Sequence, residues 1–175
     1  IFAAMPVAFA SDGYFLRIPA GLKLINPVRI RAKSDRMQAR LSNHMIWLEP
    51  DAEACILLVD MQPQNDSSGP GISIGNLGIN LDEGSKLTFV EISSGSDQAW
   101  KISHEKAHLG TNSQLDWLAC AMNGLFNKHF VQVDLAGQGS TVRMNGLYLP
   151  SGHQQVEFNT RQNHFAANTK SDLLY

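Results

Sequence analysis

The sequence predicts an all-β protein, specifically a right-handed parallel β-helix made of single stacked turns. Short strands follow one another, and no segment has the length and the 3.6-residue period of a stable helix. Small or turn-forming residues separate these strands at near-regular intervals. In addition, the segment 55–59 (CILLV) is apolar on both faces, which is typical of a strand covered on both sides.

The spacing of the corners distinguishes a coil from a meander. A turn residue is followed three positions later by the apolar residue that begins a strand, and successive corners lie between 27 (139−112) and 32 (84−52) residues apart. Hairpin meanders turn every ~8–12 residues, whereas a coil with two or three strands per turn repeats over roughly 20–50 residues. The spacing therefore favours a β-helix over a jelly roll. The five pairs are Gly21 and Leu24, Ala52 and Cys55, Gly84 and Leu87, Asn112 and Leu115, and Gly139 and Val142.

Alternating or apolar runs place the individual strands. The apolar residues 1–10 are expected to form a strand or loop of a chain trimmed upstream, and the Gly-, Pro- and Ser-rich residues 62–71 form the clearest loop. The chain is also expected to be trimmed after Tyr175, so that residues 1–175 are one truncated core domain. The predicted strands lie within residues 13–30, 45–48, 55–59, 72–81, 86–92, 99–108, 115–118, 130–135, 141–149 and 155–158.

Composition excludes several classes of function. Only 17% of the residues are charged and the net charge is −2, which gives no basis for a nucleic-acid or acidic-membrane partner. No apolar run reaches 18 residues, so no transmembrane span is expected. Cys55 and Cys120 lie among apolar neighbours and are predicted to be buried free thiols in a reducing compartment. The densest basic residues, interpreted as a solvated edge, are Arg29, Arg31, Lys33, Arg36 and Arg40.

Two motifs resemble catalytic or metal sites. Of the six histidines (His44, His104, His108, His129, His153 and His164), only His104 and His108 have ligand-like spacing, and Glu105 completes a zinc-peptidase string. That motif requires a long amphipathic helix, whereas residues 101–109 lie among strands. We therefore expect ordinary surface or packing histidines.

Clustered acids along a groove would indicate a polysaccharide-degrading β-helix enzyme. Asp82, Glu83, Asp116 and Asp134 are candidates for such a cluster, although acids are common at corners for turn reasons alone. The sequence contains no Gly-x-Ser-x-Gly, GxGxxG or P-loop motif. No catalytic residue is therefore predicted.

The last forty residues carry several motifs in a specific order. A glycine-rich corner and NGLYLPSG at 145–152 precede QQVEFNT at 154–160, the isolated His164 and SDLLY at 171–175. This order resembles the SufB/SufD family of iron–sulfur cluster assembly proteins, whose members typically show Q-H-x-D-x-x-T, an isolated His and S-x-x-L-Y/M. Here Gln155 replaces the motif histidine and Glu157 the aspartate. Residues 11–30 are similar to the family's first strand, and the lack of obvious cluster-ligand cysteines favours SufD over SufB.

The resemblance implies a cytoplasmic scaffold subunit rather than an enzyme. Such a subunit pairs with a SufB-like homologue through the β-helix, and both bind a SufC-like ABC-type ATPase. The iron–sulfur cluster is assembled in the whole complex, so no cofactor and no metal are expected in this chain. The family's helical portion and a Cys/His-containing strand are expected beyond Tyr175.

His164 is the single candidate site residue, although a polar side chain facing a stacked neighbour is the simpler interpretation. The open strand edges of a β-helix also predict edge-to-edge homodimerisation. Two other interpretations stay open at this point: a carbohydrate-active parallel β-helix enzyme and a β-sandwich binding module. Hairpin rather than parallel pairing would eliminate both β-helix interpretations.

Overall fold

The computed structural model describes residues 1–33, 39–61, 71–95, 98–122 and 124–175. These described residues form one short helix followed by strands only. The expected loop at 62–71 lies, except for Gly71, outside the described residues, as does Arg36 of the basic group. The elements are α1 (Ala4–Phe9), β1 (Asp12–Ile18), β2 (Val28–Lys33), β3 (Ala39–Leu48), β4 (Glu53–Met61), β5 (Ile72–Leu81), β6 (Lys86–Ser94), β7 (Trp100–Leu109), β8 (Gln114–Met122), β9 (Phe126–Leu135), β10 (Thr141–Leu149), β11 (Gln155–His164) and β12 (Lys170–Leu174).

The strands form two six-stranded parallel sheets. Odd-numbered strands make the first sheet in the order β1-β3-β5-β7-β9-β11, and even-numbered strands make the second in the order β2-β4-β6-β8-β10-β12. Because the chain alternates between the sheets and each strand pairs with the strand two elements later, it forms a β-solenoid of about five turns. The predicted β-helix is confirmed, and the parallel pairing rules out the β-sandwich.

Left-handed residues mark one corner of every turn. Gly21, Gly84 and Gly139 have φ of 70°, 67° and 72°, and between them Asp51 and Asn112 have φ of 60° and 55°. Asn and Asp tolerate this conformation better than other residues with a Cβ. Four of the five predicted corners are therefore confirmed. The fifth is Asp51 rather than Ala52, because alanine has no side-chain oxygen to support the turn.

Hydrogen bonds stack these corners on one another. The amide of Gly84 donates to the carbonyl of Thr111 at 2.9 Å, and the amide of Asn112 donates to that of Gln138 at 2.9 Å. A buried serine closes each of the later corners on itself: Ser113 Oγ donates to the carbonyl of Gly110, three residues earlier, at 2.8 Å. Ser85 and Ser140 make the same bond at 2.7 and 2.8 Å. The corners thus fix the register of every turn.

Parallel pairing places equivalent residues of successive turns in columns. One interior column of the first sheet contains four fully buried leucines, each at the end of its strand. A parallel column in the second sheet contains Phe89 and Trp117, whose ring centroids are 5.4 Å apart in an edge-to-face arrangement. These apolar columns lie on either side of the stacked corners and form the hydrophobic core. The leucines are Leu48, Leu81, Leu109 and Leu135.

Three local predictions are wrong. Residues 1–10 contain the helix α1 rather than a strand or loop, because alanines favour a helix. Pro6 is tolerated because it lies in the first turn, where a backbone N–H would have no partner within the helix. In 55–59 only Ile56 and Leu58 are buried; the outer face, with Cys55, is half-exposed. The remaining strands are mostly longer than predicted, as β11 shows by continuing through His164.

Among the described residues, no helix is long and apolar enough to cross a membrane.

The closest approach between corners generates a prediction about stability. A Cβ on Gly137 would overlap the backbone of Gly110 and Thr111 in the preceding corner, whereas a Cβ on Gly21 would meet nothing within 4 Å. Gly21→Ala therefore introduces only left-handed strain, about 1–2 kcal/mol. Gly137→Ala must separate two stacked corners, and we expect it to cost more, about 3 kcal/mol. Urea denaturation measures both, and equal losses would contradict the close approach.

Candidate functional site

The interior of the coil is polar on the side away from the stacked corners. Side chains that point inward near the start of the first-sheet strands, or near the end of the second-sheet strands, are charged or hydroxylic. Buried charge is costly unless it is paired, so this half of the interior is the strongest candidate for a functional site. The inward-facing polar residues of this half include Asp60, Glu91, Ser93, Lys101, Ser103, Glu105 and His129.

Lys101 of β7 lies at the centre of this polar half. Its Nζ is 3.2 Å from Asp60 Oδ2 and 3.4 Å from Glu91 Oε1, and it donates to Ser93 Oγ at 3.0 Å. All three partners come from the opposite sheet, so the lysine connects the two sheets across the interior. Desolvation alone would lower the pKa of Lys101, but the carboxylates of Asp60, Glu91 and Glu105 outweigh it and raise the pKa. Lys101 is therefore a charged ammonium in the core.

Glu91 and Glu105 are nearly inaccessible, at 3% and 4% exposure, and they approach His129, which is 1% exposed. His129 Nδ1 lies 3.3 Å from Glu105 Oε1 and 2.9 Å from Ser103 Oγ. One ligand atom from each of Glu91, Glu105 and His129 falls within a 4.8 Å group. We call these three residues the interior cluster.

The two carboxylates of the interior cluster differ in protonation. Desolvation, reinforced by the charge of Glu105, raises the pKa of Glu91 above its ordinary value. Desolvation acts in the same direction on Glu105, but hydrogen bonds from His129 and Ser103 together with the charge of Lys101 outweigh it and lower the pKa of Glu105. The cluster thus holds a carboxylate, Glu105, beside a carboxyl group that resists ionisation.

Ion pairs extend the polar half towards the first turn. Arg40 of β3 donates to Asp12 Oδ2 from Nε at 2.9 Å and from Nη2 at 2.5 Å, and its Nη1 is 3.6 Å from Asp60 Oδ1. Because Asp60 also pairs with Lys101, charged groups follow one another from β1 to β7. A cavity of about 40 Å³ lies among these residues, large enough for a water molecule or an ion.

The structure places the site residues predicted from the sequence in different parts of the coil. His164, at the end of β11, is exposed; its Nδ1 is 2.7 Å from Thr169 Oγ1 and its Nε2 is 3.1 Å from Ser171 Oγ, so two hydroxyls of the last turn engage both ring nitrogens. Its role as a site residue stays a prediction. In register, His164 follows Leu135 in the leucine column.

The zinc-peptidase string lies within strand β7 rather than between strands or on a helix. Alternation along the strand turns His104 and His108 outward and Glu105 inward, so the three side chains do not converge.

The corner acids bind separate neighbours. Asp82 accepts from Trp47 Nε1 at 2.8 Å, Asp134 accepts from Asn163 at 2.7 Å, and Asp116 pairs with Arg143 at 3.0 Å. Asp116 and Asp134 also lie in different sheets. In the part of the chain that the structure describes, Asp82, Asp116 and Asp134 therefore do not line one groove as paired carboxylates.

The sequence reasoning missed the interior cluster, although a signal for it exists. In β6, Leu87 and Phe89 point inward, and strand parity places Glu91 on the same face two residues later. In β7 the same parity links Glu105 to the inward-facing Ala107 and Leu109. A charged residue in phase with core residues is the observation that identifies both glutamates.

His44 generates a prediction about pH. Its ring stacks on Tyr14 at 4.3 Å, and desolvation lowers its pKa below 6.5. The folded state therefore favours neutral His44, and this contribution to stability is complete above pH 6.5 and is lost as the pH falls through the lowered pKa. His44→Phe keeps the ring but does not titrate. We expect wild type to lose stability relative to His44→Phe as the pH falls below about 6.5.

Thermal unfolding of both proteins between pH 5 and 8 measures this difference. His153→Phe, which changes an exposed turn residue, is the matched control for removing a histidine. A difference between wild type and His44→Phe that does not depend on pH would contradict the assignment.

Comparison with known families connects this architecture to a process. The family described as "SUF system FeS cluster assembly, SufBD core domain" matches residues 29–175 of the chain. The matched range begins in β2 and includes every later strand and the whole interior cluster, whereas β1 lies before it. The chain therefore belongs to the SufBD core-domain family, which takes part in iron–sulfur cluster assembly by the SUF system.

Proposed function

We propose that the protein is a SufD-type scaffold subunit of a cytoplasmic SUF complex, in which it pairs with a SufB-like homologue and an ABC-type ATPase. The scaffold itself carries out no chemical step. Its rigid coil holds the partner so that the iron–sulfur cluster, which is the product of the complex, is built where the subunits meet. The family match and the solenoid support this assignment.

The observation that carries the proposal is the match of residues 29–175 to the SufBD core domain, and the last turn of the described coil adds a candidate contact surface. In β12, Leu173 occupies the register position beneath the buried Met144, yet it is 42% exposed because no later described strand covers it. Tyr175 is also 42% exposed and contacts Phe158, with ring centroids 5.2 Å apart. We call Phe158, Leu173 and Tyr175 the end face. A further strand, of the longer protein or of a partner, is suited to pack on an apolar surface of this kind, and we propose that the partner contacts it.

Backbone groups at the same end offer a second mode of contact. Among the described residues, β11 and β12 each pair with a neighbouring strand on one side only. Unpaired strand edges bind other strands, and a homologous coil presents strands of the same spacing. A SufB-like partner therefore fits the end face and both open edges together. A second copy of this chain fits the end face and the open edges in the same way. We therefore propose that the protein forms an edge-to-edge homodimer when the SufB-like partner is absent.

The two cysteines favour the SufD-type role. Cys55 and Cys120 lie on different strands of the second sheet, both free and both half-buried. Burial, with a smaller effect of the charge of Glu91, raises the pKa of the Cys120 thiol. A protonated thiol is a poor metal ligand and a poor nucleophile. We therefore propose that neither of these two cysteines ligates the cluster.

The end face generates a prediction about assembly. Leu173 and Leu174 are adjacent in β12 but point to opposite faces of the strand. Leu173→Asp places a charge in the end face, whereas Leu174→Asp, at a position already 67% exposed, changes the outer surface and is the matched control. We expect Leu173→Asp to weaken co-purification of the full-length protein with its SufB-like partner by about tenfold or more, while Leu174→Asp assembles normally.

Size-exclusion chromatography of each variant with and without the partner separates the outcomes. Circular dichroism confirms that both variants remain folded. Normal assembly of folded Leu173→Asp would overturn the assignment of the end face.

The cysteines generate a second prediction about the complex. Cys55→Ala combined with Cys120→Ala removes both thiols and leaves the coil intact, so we expect cluster formation by the assembled complex to change less than about twofold. Leu57→Ala, on the same outer face of β4 as Cys55, controls for loss of packing. Absorbance of the reconstituted cluster provides the measurement. Loss of cluster formation in the double variant alone would show that this chain supplies a thiolate ligand.

A further inference from the structure

The interior cluster contains three buried polar atoms without a hydrogen-bond partner among the described residues. They are Glu91 Oε2, Glu105 Oε2 and His129 Nε2. A buried polar group without a partner is strongly destabilising, and such groups are rare in folded proteins. Three of them in one group of side chains indicate that a common partner belongs there.

The arrangement of the three side chains fits a cation. One ligand atom from each residue lies within 4.8 Å of the others. His129 Nδ1 contacts Ser103 Oγ at 2.9 Å and Glu105 Oε1 at 3.3 Å, which leaves Nε2 as the ring nitrogen available to an ion. Glu105 and His129 come from neighbouring strands of the first sheet, whereas Glu91 approaches from the second sheet. The two-sheet architecture therefore presents ligands from opposite sides of one point.

Neighbouring charges leave these ligand atoms available. Lys101 contacts Glu91 through Oε1, which leaves Oε2 free, and the lysine is also bound by Asp60 and Ser93. Ser103 Oγ, 2.9 Å from His129 Nδ1, holds the imidazole ring in place. Hydrogen bonds of this kind orient the histidine in metal sites.

We propose that Glu91, Glu105 and His129 form a binding site for one divalent transition-metal cation inside the coil. Two carboxylates and an imidazole suit Zn²⁺, Fe²⁺ or Co²⁺, whereas Mg²⁺ and Ca²⁺ prefer oxygen ligands alone. Three protein ligands leave a coordination position for a water molecule, and the adjoining cavity of about 40 Å³ has room for one. The site does not depend on the partner subunits.

Metal titration of the full-length protein tests the proposal. The protein is first treated with a chelator and then titrated with Zn²⁺, with metal analysis after equilibrium dialysis. We expect one equivalent of Zn²⁺ per chain, no saturable uptake of Mg²⁺, and a rise in melting temperature with Zn²⁺. Co²⁺ is the spectroscopic probe, because its visible absorption reports the ligand geometry directly.

Conservative variants locate the bound ion. Glu105→Gln and Glu91→Gln each remove one charged ligand at nearly constant volume, and each should reduce Zn²⁺ affinity at least about tenfold, since outer-sphere changes alone cost 10–100-fold. Glu157→Gln, which breaks a surface ion pair with Lys128, and His153→Ala, in an exposed turn, are matched controls that should bind like wild type.

Three results would overturn the proposal. They are no stoichiometric Zn²⁺ binding by wild type, unchanged binding by both folded glutamine variants, or loss of binding in either surface control. Because circular dichroism monitors folding of every variant without metal, loss of structure is distinguished from loss of a ligand. The experiment measures metal bound by the protein without its partners. Absence of Zn²⁺ binding would therefore not contradict the proposed scaffold role, and absence of partner assembly would not contradict the proposed metal site.

Discussion

Parallel register is the constraint on which the rest of the structure depends. Each strand pairs with the strand one turn later, so a residue's neighbours along the axis are its equivalents in the adjacent turns. A slip of one residue would turn every interior side chain outward. The left-handed corners prevent it, because Gly84, Asn112 and Gly139 stack through backbone hydrogen bonds and begin the next strand two residues later. The chemistry of the interior thus follows from where the corners fall.

The same register divides the interior lengthwise. Columns near the corners are apolar, whereas columns on the far side contain Lys101 with its carboxylate partners. Burying charges is costly, and apolar residues of similar volume are often equally or more stabilising. Apolar residues do occupy the equivalent positions in the next turn of this coil: Val131 is in register with Glu105, and Ala119 is in register with Glu91. Stability alone therefore does not account for the charged residues in these turns, which is why we look to binding for their role.

Much of the fold follows from local signals in the sequence. Corner glycines and asparagines, about thirty residues apart, are sufficient to predict stacked turns, since left-handed φ restricts residue choice wherever it occurs. The helix α1 is different. It has no capping side chain and only Pro6 buried, so its packing against β3 and β5 decides its structure. Its alanines permit a helix, but tertiary contacts decide whether so short a segment forms one.

The candidate site is predictable in part. Strand parity marks Glu91 and Glu105 as inward-facing once their strands are known. That they meet His129 depends on which turns are neighbours and how far apart the two sheets lie, and neither is a local property of the sequence. His164 attracted attention because it stands alone, but in the structure its two nitrogens contact Thr169 and Ser171.

The interior cluster and the end face are in direct contact. The ring of Phe158 stacks on His129 at 4.6 Å with an interplanar angle of 8°, and it also contacts Tyr175 of the end face. His129 is therefore one stacked ring away from the surface that we propose a partner covers. Gly146 makes this packing possible, because any Cβ there would overlap the Tyr175 ring. Since Phe158 belongs to both layers, a partner that moves Tyr175 also changes the packing over His129. In the assembly that we propose, binding at the end face would act on the polar interior through this contact.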